Sequence, residues 1–80
     1  MAHHSMELRH LAQVDRHLIE AAERITQQEA MFATLDRDGH DTTEAIRLLE
    51  ALRGVREQGI IHRRLILQAL NEPEEGSAAG

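Results

Sequence analysis

The sequence predicts an all-α fold: an antiparallel two-helix hairpin with long helices over about residues 6–38 and 42–70. Three observations predict it. Apolar residues follow a helix-compatible pattern on both sides of the midpoint, with a seven-residue repeat in the first half. Between the two periodic runs lies Asp36-Arg37-Asp38-Gly39-His40-Asp41-Thr42-Thr43-Glu44, a string suited to stopping one helix and starting the next. The chain also holds one aromatic residue, Phe32, and no Trp or Tyr, a poverty that argues against a sheet.

Residues 1–5 read as a disordered N-terminus or the remnant of a purification tag, since His3-His4 resembles a tag fragment and Met6 could be the native start. Ser5 is placed to cap the first helix, with Glu7 in the first turn, where the helix dipole favours an anion. From there Leu11, Leu18, Ile25 and Phe32 repeat every seven residues, and Val14, Ala21, Gln28 and Leu35 follow three later in each heptad. Leu8 and Ala22 widen this stripe on one side, and Ala12, Ile19 and Ala33 on the other. The result is the broad apolar face of a bundle helix.

Gly39 is suited to the left-handed position just past a helix end, because it has no Cβ to clash there. Asp38 precedes it in the turn. Asp41 reads as the next N-cap, with Glu44 three residues on completing a capping box. The acidic turn is not a calcium loop. With Gly39 at the sixth position of an EF-hand, Thr34 and Ala45 fall on the first and last ligand positions, and neither can serve.

The second helix has a seam read as Ala45, Leu48, Leu49, Leu52, Val55, Gly59, His62, Ile66, Ala69 and Leu70. Gly59 falls on that seam, where a missing side chain lets the other helix approach. No capping residue precedes Ile60, so a continuous helix is favoured over a break. Asn71 and Pro73 end it, and residues 72–80 read as a disordered acidic tail. Folding about Gly39 sets Leu18 against Gly59 and Asp15 against Arg63 and Arg64, and matches apolar residues along the whole length. The helix–helix interface is thus assigned to Leu11, Leu18, Ile25, Phe32, Leu49, Leu52, Val55, Gly59 and Ile66.

Composition narrows the function classes. Net charge is −5 and neither half of the chain is basic, so the electrostatic footprint of a nucleic-acid binder is missing. There is no cysteine, hence no disulfide, thiolate site or Cys nucleophile, which fits a reducing cytoplasm. Met1 to His10 lacks the basic and apolar regions of a signal peptide, and no apolar run approaches the roughly 20 residues of a membrane span. No triad, carboxylate pair or phosphate-binding glycine loop is present, so no enzyme, cofactor or metal is expected. His10, His17 and His62, with Asp15, form the one arrangement that a metal could use if a second copy added ligands.

A hairpin this small buries one stripe per helix, and chains of its size need a further staple. Ile19, Ile46, Ile60, Ile61, Leu65 and Leu67 would stay wet in an isolated hairpin. The expectation is therefore self-association into a four-helix bundle: a non-enzymatic, homodimeric interaction protein with a possible protein partner. The alternatives are a small nucleic-acid-associated regulator and a histidine-based metal-binding bundle.

The residues His10-Leu11-Ala12-Gln13, Asp15-Arg16-His17, the loop Asp38 to Ala45, Leu48-Leu49, and His62-Arg63 with Ile66-Leu67 and Leu70 carry a resemblance. Over about residues 10–70 the chain resembles a group of short hypothetical helical-hairpin proteins of alpha-proteobacteria. The resemblance implies a bacterial, cytoplasmic helical hairpin and brings no activity with it.

Overall fold

The computed structural model describes residues 2–72. Two helices pack against each other: α1 (Ala2–Arg37) and α2 (Thr43–Asn71). At 1.5 Å per residue α1 is about 54 Å long. The radius of gyration is 18.6 Å, against about 12 Å for a compact domain of this length. The molecule is a single layer of two helices, and a single layer cannot enclose a core.

α1 begins earlier than the sequence suggests. Ser5 does not cap it, and residues 2–5 are helical. No Gly or Pro stands upstream of Ser5 to stop the helix, and propagation from a formed helix costs far less than nucleation. Downstream, the acidic tail expected from residue 72 lies, beyond Glu72, outside the described residues.

The turn closes α1 with a Schellman motif. The Gly39 N–H donates to the Asp36 carbonyl at 3.1 Å, and the His40 N–H donates to the Leu35 carbonyl at 2.9 Å. Gly39 takes φ +77°, the left-handed conformation that lets the chain reverse at low cost. Asp38 donates its N–H to the Thr34 carbonyl at 3.0 Å, the last bond of α1 with the helical four-residue spacing.

The start of α2 corrects the capping box. Thr42 occupies the N-cap backbone position and makes no side-chain cap bond. Asp41 caps from one residue earlier: its Oδ1 accepts from the Thr43 N–H at 3.0 Å and from the Thr43 hydroxyl at 2.7 Å. Glu44 does not reach back to Asp41. Its carboxylate accepts from Arg47 Nη1 at 2.8 Å, one turn ahead. A full charge three residues on competes with a backbone N–H, and the charge-assisted bond is the stronger of the two.

Thr43 holds the Asp41 carboxyl below its ordinary value of 3.8, through its backbone N–H first and its hydroxyl second. A carboxylate with a lowered folded-state pKa stabilises fully above its unfolded value and stops doing so as pH falls through the folded value. The melting temperature of Asp41→Ala should therefore lie below that of the wild type near neutral pH. The gap should narrow as pH falls below the ordinary 3.8, as circular dichroism melts across an acid series would show.

α2 runs unbroken through Gly54 and Gly59 to Asn71. Glu72 then turns extended (φ −75°, ψ 143°), as a residue before proline must. A Cβ added at Gly54 would meet nothing within 4 Å. Gly54→Ala should therefore gain about 1 kcal/mol of helix propensity and raise the melting temperature by roughly 4–8 °C. An unchanged melt would mean that α2 is frayed at that point.

Among the described residues six apolar ones are buried: Val14, Ala21 and Ile25 on α1, and Ala45, Leu49 and Ile66 on α2. On α1 the seam is the one expected, with Leu11, Leu18, Phe32 and Leu35 half-buried between the buried positions. On α2 the seam needs correction. Leu49, Leu52, Gly59 and Ile66 lie on it, but Val55 is 63% exposed and His62 is exposed. Arg56 and Arg63 take those places, both half-buried. A true heptad alternates steps of three and four, so it passes from Leu52 to Arg56 and from Gly59 to Arg63. Val55 and His62 break that alternation and fall one position outside the seam.

Candidate interaction surface

The two helices divide the outside of the hairpin into two flanks with different chemistry. One flank carries charge. On α1 it includes Asp15 and Glu29, two heptads apart, and on α2 it includes Arg53. Arg53 Nη2 donates to Glu29 Oε2 at 3.1 Å, and Arg63 Nε, reaching out from the seam, donates to Asp15 Oδ1 at 2.6 Å. The Asp15–Arg63 pair is the one that folding about Gly39 predicts. Its side chains remain about two-fifths exposed, so water screens it and it contributes no more than about 1 kcal/mol. Ile46 is exposed on this flank, and Ile60 and Leu67 are half-buried.

The other flank is nearly free of fixed charge. His10, His17, Arg24 and Met31 recur every seven residues along α1, and Leu48, Val55 and His62 do so along α2. Two shallow grooves show how these rows meet. Near the turn, Met31 and Gln27 line a groove with Leu48 and Leu52. Toward the far end, His10, Gln13, Val14 and His17 line another with His62. Arg24 also lines the first groove, and Val55 falls between Leu48 and His62 in the row on α2, so the rows form one continuous strip. Met31, Leu48 and Val55 are all exposed on it, and Leu65 is exposed one turn beyond His62.

His17 and His62 share a groove with His10, as the hairpin pairing predicts. Among the described residues, however, no three His, Asp or Glu side chains come close enough together to hold a metal ion. Asp15, the fourth ligand considered, is engaged by Arg63 on the opposite flank. His10 has its Nδ1 3.9 Å from a Glu7 carboxylate oxygen. The turn residues Asp38, Gly39, Asp41 and Glu44 are all used in local hydrogen bonds, ion pairs or backbone geometry.

Sequence reasoning missed one feature of the seam. Arg56 lies where an apolar residue belongs, and its Nε is buried with no hydrogen-bond partner among the described residues. The strict heptad count from Leu49 was the signal that could have found it. Among the described residues no helix is long and apolar enough to cross a membrane.

No protein-family model matches the sequence, and neither a curated protein nor a solved structure is significantly similar to it.

Proposed function

We propose that this hairpin is a non-enzymatic interaction protein that works as a homodimer, two copies pairing into a four-helix bundle whose outer helical surface is offered to a protein partner. One observation carries the reading. Among the described residues nine large apolar side chains are exposed, while six apolar residues are buried and none of the large side chains is fully so. A monomeric soluble protein exposes single apolar residues freely, but contiguous apolar area marks association.

The chain exposes 6201 Å², where a compact monomer of 9.0 kDa exposes about 4,900 Å², so the hairpin leaves more surface open to a second copy than a compact fold would. The absence of cysteine and the resemblance to alpha-proteobacterial hairpins support residence in a reducing bacterial cytoplasm.

Sedimentation equilibrium at tens of micromolar tests the reading. The expected mass is about twice 9.0 kDa, with a melting temperature that rises with protein concentration because association is linked to folding. A monomer mass at full helicity would overturn it.

A further inference from the structure

We infer that the second copy packs on the flank of His17, Arg24, Met31, Leu48, Val55 and His62, and not on the flank of the ion pairs. The inference rests on the homodimer reading above and names the face it uses. Covering the ion-pair flank would take Asp15, Glu29, Arg53 and Arg63 out of water, and the lost hydration of such pairs can exceed the attraction between partners. These four charges already have their partners across the hairpin, at 2.6 and 3.1 Å, so a second copy has nothing to add. The opposite flank asks for no such sacrifice. Its only fixed charge among those six residues is Arg24, whose long stem lets the guanidinium reach the rim while its methylenes are covered.

Exposed apolar side chains occur on both flanks, with more of them here. Met31, Leu48, Val55 and Leu65 are exposed on this flank or at its edge, against Leu8, Ile19 and Ile46 on the side of the ion pairs, and Val55 is 63% exposed. Val55 also sits midway along the strip, where the centre of an interface concentrates its binding energy. A strip running along both helices suits a two-fold pair, because the same strip from each copy then faces its equivalent. A second hairpin laid there meets the core-like composition that the a and d positions alone do not provide.

The test compares substitutions on the two flanks of the full chain. Val55→Glu should raise the dimer dissociation constant by about 100-fold or more, since a carboxylate that must give up its water replaces an apolar contact at the centre of the interface. Ile19→Glu, on the other side of α1 and equally exposed at 62%, should leave it within a few-fold. Both variants should keep wild-type helicity, because neither side chain is buried within the hairpin. As a second measurement, the cysteine-free chain accepts a single probe. The thiol of Val55→Cys should react several-fold more slowly with a disulfide reagent above the dissociation constant than below it, and that of Ile19→Cys should react equally in both. A dimer that survives Val55→Glu and falls apart with Ile19→Glu overturns this inference while leaving the dimer intact. A wild-type chain that is monomeric overturns both.

Discussion

Leu49→Ala should remove most of the stability of the fold. Leu49 is 6% exposed and is the largest buried side chain of the half of α2 nearest the turn. Removing three carbons from such a position costs about 2–5 kcal/mol, the upper part where the cavity cannot collapse. A chain of 80 residues has a total stability of only about 4–12 kcal/mol. With six buried apolar residues among those described, this one belongs toward the lower end. The expected result is a melting temperature lower by 10 °C or more at fixed protein concentration, with reduced helicity at 25 °C by circular dichroism. Ile61→Ala, a comparable truncation on the outer surface of α2, should change stability by no more than about 0.5 kcal/mol. Equal losses at the two positions would mean that the helices do not pack through Leu49.

The contrast between these two positions shows how far sequence alone can go. The heptad of α1 was readable because its a and d positions are apolar at seven of eight places, and the exception, Gln28, is half-buried where the count puts it. The turn was readable because Gly39 has one conformational specialty and the turn needs it. The Asp15–Arg63 pair followed from the fold axis once the turn was placed. α2 resisted because two of its seam residues are arginines. Arginine can lie on a seam by extending its stem along the apolar surface and sending its head outward, and a reading based on hydrophobicity passes it over for the valine or histidine next to it. The capping box failed for a different reason. Its pattern names two partners for Glu44, and the choice between the Asp41 N–H and Arg47 depends on rotamers that the pattern does not hold.

The surface that matters most for function was legible only in outline. Ile19, Ile46, Ile61 and Leu65 are exposed as expected, while Ile60 and Leu67 are half-covered by α1. The division into a charged flank and an apolar flank depends on which residues face one another across the seam, and the misplaced Val55 concealed it. Moving Val55 off the seam removes an apolar contact from within the hairpin. It also places that side chain in the middle of the flank on which a second copy would sit.

Exchanging Leu18 and Gly59 in size should test the register that all of this depends on. A Cβ at Gly59 would stand 2.8 Å from Leu18 Cδ2 and 3.5 Å from Leu18 Cγ. Real Cβ atoms do not approach so closely, so Gly59→Leu must push Leu18 or the helices aside. Overpacking of this kind costs about 1–3 kcal/mol, offset in part by the ~1 kcal/mol that leaving glycine gains in a helix interior. Leu18→Ala alone opens a gap against Gly59 and should cost about 2 kcal/mol, the low end for a leucine that is only half-buried. In the double variant the new leucine fills the space the old one left. Its stability should exceed the sum of the single effects by roughly 1–3 kcal/mol, as contacting residues do in such cycles. Gly54→Leu, on the outer side of α2, should show no coupling to Leu18→Ala. Strict additivity for the Leu18 and Gly59 pair would place these residues apart and move the register, and the flank built on it would move with it.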